Sequence, residues 1–236
     1  MDLTTKLSVD IMYPINCNRG NILWGHMPKL SKEAYIALTC DLIAADGIET
    51  VTIRNLARKL HCSSASLYRH FDNLEQLLVF ASLRFLKSYI AEVAVILSSN
   101  KLELETYFKV WNIFIRCSFD QPKIFQYVFF NKYRDMFKKA VEVYYQTLSD
   151  DIHDIEPMWH PMLAGDSIHL RDRYLLMHCI SLSHNNYSEI ETASDLIIYI
   201  YKGMLNSLID EDEYIDKQTA IKQFNYAMRL ICEVFK

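Results

Sequence analysis

Residues 52–71 hold four cationic side chains, Arg54, Arg58, Lys59 and Arg69, and no Asp or Glu. In a chain whose overall charge is −4, this local excess marks where an anionic polymer would be met, because guanidinium and ammonium groups neutralise phosphates and release their counterions. Ser64, Ser66 and Tyr68 stand among these cations, and their hydroxyls are suited to base edges and phosphate oxygens. The asymmetry extends outward: residues 27–97 carry 8 basic and 7 acidic side chains, residues 98–236 carry 15 and 20. The positive field therefore lies at one end of the chain.

Two other kinds of chemistry are suggested by residue type and refused by spacing. His153, His160, His169, His178 and His184, with Cys179, are of metal-ligand type, but they form no HExxH, no His-x3-His and no paired-Cys half of a zinc site. Ser, His and Asp occur in no arrangement that specifies a nucleophile elbow or a triad. The six cysteines, Cys17, Cys40, Cys62, Cys117, Cys179 and Cys232, stand far apart without a CxxC pair, which suits buried thiols in a reducing cytosol. The expectation is a protein that is not an enzyme, with no catalytic residues, metal or cofactor.

The cationic stretch has to be positioned by helices. Ser31 is a good N-cap for a segment over 31–46, where Ile36, Cys40 and Ile43 recur at helical spacing before Gly47 stops it. Thr52 caps a short helix in which Ile53, Leu56, Ala57 and Leu60 form an apolar stripe, and Ser63 caps another over 64–70, anchored by Leu67 and Phe71. Two short helices joined by a tight turn make a helix-turn-helix candidate, whose second helix lies in the major groove while the first crosses the backbone. The outer face of that second helix presents Ser64, Ala65, Ser66, Tyr68 and Arg69, while the helix N-terminus at Thr52, with Arg54 beside it, can hold a phosphate.

With 236 residues, 51% hydrophobic and only five Gly and five Pro, the chain buries a sizeable core and is neither disordered nor fibrous. From Leu30 onward it reads as all-α. A connecting helix is predicted over 74–97 and a hinge at Ser98, Ser99 and Asn100. Further helices are predicted near 103–119, 122–131, 133–149, 168–183, 189–209 and 216–235, with a loop over 150–166 broken by Pro157, Pro161 and Gly165. Residues 158–162 are expected to pack over the second domain. The most apolar stretch, 196–209, is interrupted by Lys202 and Asn206 and falls short of the roughly 20 residues of a membrane span. No leader pattern stands at the N-terminus, so a cytoplasmic protein without membrane association is expected. Residues 1–28 are expected to be a poorly ordered extension; Gly25-His26-Met27 reads as a cloning junction, with Met27 a usable start.

The residues from Gly47 to Ala57 (GIETVTIRNLA), continued by Cys62-Ser63, by Leu67-Tyr68-Arg69-His70-Phe71 and by Glu75-Gln76-Leu77-Leu78, closely resemble the N-terminal DNA-binding domain of the TetR family of transcriptional regulators. The resemblance covers about residues 31–80. It implies an all-α, Ω-shaped dimer with an N-terminal three-helix helix-turn-helix DNA-binding domain over 29–80 and a C-terminal helical ligand-binding and dimerisation domain over 81–236. It further implies that Thr52, Arg54, Ser64, Ala65, Ser66, Tyr68, Arg69 and His70 face a double-stranded operator. Three departures stand out: His61 replaces the usual turn glycine, Leu74 stands where a phosphate-binding lysine is common, and Asp72 adds a negative charge beside it.

A regulator of this kind needs a cavity, and the aromatic-rich region 103–149 points to Trp111, Phe114, Phe130 and Tyr133 as its lining. The amphipathic C-terminal helices resemble the family's four-helix dimer interface, with Leu196, Ile200, Met204, Phe224, Met228 and Ile231 as its residues and Gly203 allowing close approach. The expected function is a ligand-responsive repressor that binds a palindromic operator as a homodimer and is released by a small, largely apolar or aromatic effector. The alternative is a helical enzyme or metal-binding module whose short helices only resemble a helix-turn-helix.

Overall fold

The computed structural model describes residues 31–98, 102–130, 157–159, 162, 167–180, 187–211 and 215–235. The described residues are helical, without a strand. The extension over 1–28, the helix expected over 133–149, Ser99 and Asn100 of the hinge, most of the 150–166 loop and Tyr133 lie outside them.

Local capping sets the first domain. Helix α1 (Lys32–Asp46) opens on the Ser31 hydroxyl, which accepts the Ala34 N–H at 3.2 Å, and closes at Gly47, whose φ of 87° is reached cheaply only by glycine. A Cβ there would also stand 3.2 Å from the Glu49 carboxylate. Helix α2 (Ile53–Lys59) opens on Thr52, whose Oγ1 accepts the Asn55 N–H at 3.1 Å. It ends through His61, at φ 51°, the left-handed conformation that the histidine at the glycine position foretold. A 3-10 segment, Ser64–Arg69, follows. Asn73 then caps α3 (Leu74–Leu83), accepting the Gln76 N–H at 2.8 Å while the Gln76 side chain accepts the Asp72 N–H at 2.8 Å.

These elements close on Tyr35, Leu42, Leu56, Leu67, Phe71, Leu77 and Phe80, all buried. Phe71 is the centre, with its ring edge-on to Tyr35 at 6.2 Å and to Phe80 at 6.1 Å. Leu67 and Phe71 are thus the core anchors their spacing implied.

The connecting helix is not continuous. Between α3 and α4 (Lys87–Leu97) a 3-10 turn spans Arg84–Leu86. At this break the Arg84 N–H bonds the Ala81 carbonyl, one residue short of helical spacing, and the Cys40 thiol of α1 donates to the same oxygen at 3.4 Å.

The C-terminal part of the chain contains α5 (Leu104–Asp120), α6 (Pro122–Phe130), α7 (Ile168–Cys179), α8 (Tyr187–Ile209) and α9 (Lys217–Ile231), the last followed by a 3-10 turn over Cys232–Phe235, and residues 31–236 form one compact unit. The core of this C-terminal part is aromatic. Phe114 meets Tyr89, Trp111, Phe125, Phe129 and Tyr201 at centroid distances of 5.2–5.6 Å, each such pair contributing about 0.5–1.5 kcal/mol beyond its buried area. Trp159 and Met162 are buried, and the Arg171 Nε donates to the Met162 carbonyl at 2.7 Å. Of the 158–162 segment, Trp159 and Met162 are thus packed down while Met158 is exposed. The two halves meet directly: α3 packs on α6, Lys123 pairs with Glu49 at 2.9 Å, and the Tyr127 hydroxyl donates to the Glu75 carbonyl at 3.4 Å. Among the described residues no helix is long and apolar enough to cross a membrane.

Candidate nucleic-acid interface and second-domain cavity

The elements that carry the cationic residues leave them in solvent. Thr52, Arg54, Arg58, Lys59, Ser64, Ala65, Tyr68 and Arg69 are exposed, and Ser66 and His70 half-buried. Tyr68, at 54% exposure, is a large aromatic side chain that the fold leaves uncovered. His70 differs, since its ring lies 5.7 Å from that of Tyr35 and is partly spent on the core. Thr52 has two duties, because its hydroxyl oxygen already accepts the Asn55 N–H and its O–H is left to donate to an outside acceptor such as a phosphate oxygen.

Of the two acidic groups that flank this segment in sequence, Glu49 is paired with a cation, Lys123. Asp72, a departure in the sequence, receives the Gln76 amide at 3.2 Å, and Lys123 holds the Glu49 carboxyl below its ordinary range by hydrogen bonding. Arg58 donates to the Asn55 side chain at 3.0 Å, a neutral partner that leaves its charge undiminished. The result is an exposed face with four cations that meet no acidic partner among the described residues, together with hydroxyl groups, between a capped helix N-terminus and a short 3-10 segment, an arrangement suited to phosphate contacts and groove readout.

Residues 36–79 match the family model described as "Bacterial regulatory proteins, tetR family". The chain carries a TetR-family DNA-binding domain. The match holds Thr52 through His70 entire, with the helices on both sides that fix their orientation. Among solved structures the chain is similar to one described as "Crystal structure of a TetR transcriptional regulator from Rhodococcus sp. RHA1", at 13% identity and TM-score 0.46, over 86% of this chain and 96% of that one. No curated protein matches the sequence.

Beyond the TetR domain, the structure brings Trp111 and Phe114 together on one small cavity of about 40 Å³. Its described lining also includes Tyr89, Val110, Phe129, Met162, Ile168, Arg171, Asp172 and Leu175. Phe130 lies elsewhere. It borders a cleft of about 400 Å³ with Ile48, Glu49, Lys123, Lys202 and Asn206, and its ring stands 6.0 Å from Tyr201.

Asp172 was not evident from sequence and is the polar centre of the cavity wall. Its Oδ1 accepts the Tyr107 hydroxyl at 2.8 Å and the Trp111 indole N–H at 2.6 Å. Its Oδ2 meets no donor at full hydrogen-bond geometry among the described residues, but the Ser194 hydroxyl stands close enough to lower the carboxyl's pKa by hydrogen bonding. Burial pushes the carboxyl up to about 6, against the opposing pull of Ser194, Tyr107, Trp111 and the charge of His169. The signal was present: Asp172 occupies the inner stripe of α7 with Ile168, Leu175, Leu176 and Cys179, where a lone carboxylate has no ordinary reason to be. His169 and Arg173 instead share the Asp195 carboxylate, at 2.8 and 2.9 Å. Burial pushes the Cys179 and Cys232 thiols up to about 12, so both are inert.

On the C-terminal helices the expected interface residues divide. Leu196 is exposed, and Ile200, Met204 and Ile231 are half-buried. Phe224 and Met228 require correction as surface residues, because each is only 1% exposed and Phe224 packs on Trp111 at 5.1 Å. The stripe containing them is the inner face of α9. The outer face shows Tyr226 and Leu230, and the outer face of α8 shows Tyr199 beside Leu196. Gly203, on that same face, has open space where a Cβ would stand.

Proposed function

We propose that the chain is a ligand-responsive repressor that binds a palindromic operator as a homodimer and releases it when a small, largely apolar or aromatic compound occupies the second domain. The observation that carries this reading is the exposed cationic face of the TetR-type domain. Thr52, Arg54 and Tyr68 meet phosphates; Ser64, Ala65, Ser66 and Arg69 read the groove, with His70 at its edge. A six-residue reading segment makes few base contacts, so selectivity requires two copies related by a two-fold axis, with half-sites about 34–36 Å apart or a multiple of that. The outer faces of α8 and α9 are the surface for the second copy: Leu196, Tyr199, Ile200, Gly203 and Met204 on one, Tyr226, Leu230 and Ile231 on the other. They form apolar stripes at three- and four-residue steps on helices whose inner faces are already filled.

Selection of DNA from a random-sequence pool by the full chain tests the reading. The expected product is a two-fold symmetric sequence whose binding constant falls steeply with salt. A pool that stays unenriched, or affinity indifferent to salt, overturns it.

A further inference from the structure

We propose that Asp172 anchors a ligand site in the α5–α7 cavity, selective for a small apolar or aryl compound that carries a protonated amine. The inference rests on the reading of the second domain as the ligand-sensing half and specifies the chemistry sensed there. The carboxylate is 4% exposed, lines the cavity and uses one oxygen for both of its donors while the other has none among the described residues. Both donors are neutral, as is the Ser194 hydroxyl, so the buried charge is offset only by the more distant field of His169, and a carboxylate so placed in an apolar wall is costly. An ammonium N–H that reaches this carboxylate makes a charge-assisted hydrogen bond and removes that cost.

The rest of the lining suits the same ligand. Tyr89, Trp111, Phe114 and Phe129 are aromatic and buried, and ring faces attract cations that a neutral isostere does not mimic. Arg171, the other charged residue of the wall, has its Nε on the Met162 carbonyl at 2.7 Å and its guanidinium 5.4 Å from the Phe129 centroid. At about 40 Å³ the space is smaller than a ring needs, and Met162, a flexible thioether in the wall, is the side chain able to give way.

Calorimetry and tryptophan fluorescence on the full chain, with 2-phenylethylamine, 2-phenylethanol and phenylacetate as probes, decide the point. The amine is expected to bind about tenfold or more tighter than the alcohol, and the acid weakest of the three. Asp172→Asn is expected to bring amine and alcohol to equal affinity. Val110→Met, which narrows the cavity at another of its lining residues, is expected to weaken amine and alcohol alike. Equal binding of amine and alcohol by the unaltered chain overturns the proposal. So do a preference that survives Asp172→Asn, affinities unmoved by Val110→Met, or no binding up to about 10 mM. An amine that binds selectively yet leaves operator affinity unchanged would instead retire the effector role and leave the site standing.

Discussion

Arg54 and Arg69 are both exposed cations of the same face, yet their positions assign them different work. Arg54 stands in the first turn of α2 beside the Thr52 cap, on the helix that in the proposed function crosses the DNA backbone. Arg54→Ala is expected to weaken specific and random DNA alike and to reduce the salt slope by about one unit, measured by titration across salt. Arg69, on the reading segment, is expected on substitution by Ala to lose about 1–3 kcal/mol against the correct base only. Equal losses on both DNAs would make Arg69 a phosphate contact. Asp172 sets a pH dependence of opposite sign to the usual carboxylate. Its folded pKa is raised to about 6, so the folded chain holds the proton more tightly than the unfolded one. This group's contribution therefore improves as pH falls from about 6 towards 4 and worsens as pH rises. Asp172→Asn should raise thermal stability at about pH 8 by up to a few kcal/mol, an advantage that vanishes near pH 4. A pH-independent difference between the two melting curves would refute this. The exposure of the cationic residues was legible because charge and solvent access there follow from local sequence. Asp172 was not, since its partners stand 61 and 65 positions away.

At the scale of elements, capping signals carried most of the information. Ser31, Thr52 and Asn73 each accept a backbone N–H in the first turn of the helix that follows, so helix starts could be read residue by residue. His61 at φ 51° is where a local rule is broken. An L-residue in that region costs about 1–2 kcal/mol, partly offset by the greater unfolded freedom of glycine. His61→Gly is expected to stabilise the chain by about 0.5–1 kcal/mol in denaturant melts, and a loss would mean that the imidazole holds a contact worth more than the strain. Apolar periodicity located α8 and α9 but could not say which side faced inward. Phe224 and Met228 repeat every four residues, and so do Tyr226 and Leu230. Only the Trp111 and Tyr201 rings, which meet Phe224 at 5.1 and 6.3 Å, decide that the first pair is internal. The Arg84–Leu86 break was likewise hidden, because the Cys40 thiol that reaches Ala81 comes from a different helix.

For the whole molecule, the division of α8 and α9 into inner and outer faces separates assembly from folding. Leu196→Glu with Leu230→Glu is expected to yield monomers that melt normally, by light scattering and calorimetry. Met228→Glu should unfold the chain, since a buried unpaired carboxylate costs several kcal/mol. A dimer that survives the first pair would place the interface elsewhere. The turn at Arg84–Leu86 also converts angle into distance. Helix α3 has ten residues, an arm of about 15 Å, so each degree of bend at its base moves its far end by about a quarter of an ångström. Ten degrees would carry the reading segment about 3 Å, close to the roughly 3.4 Å between successive bases on a strand. In a two-fold pair both heads swing and the error doubles. A protein built this way can leave its operator by falling out of step with the helical repeat of DNA, with every helix intact and only the lean of α3 on α6 changed.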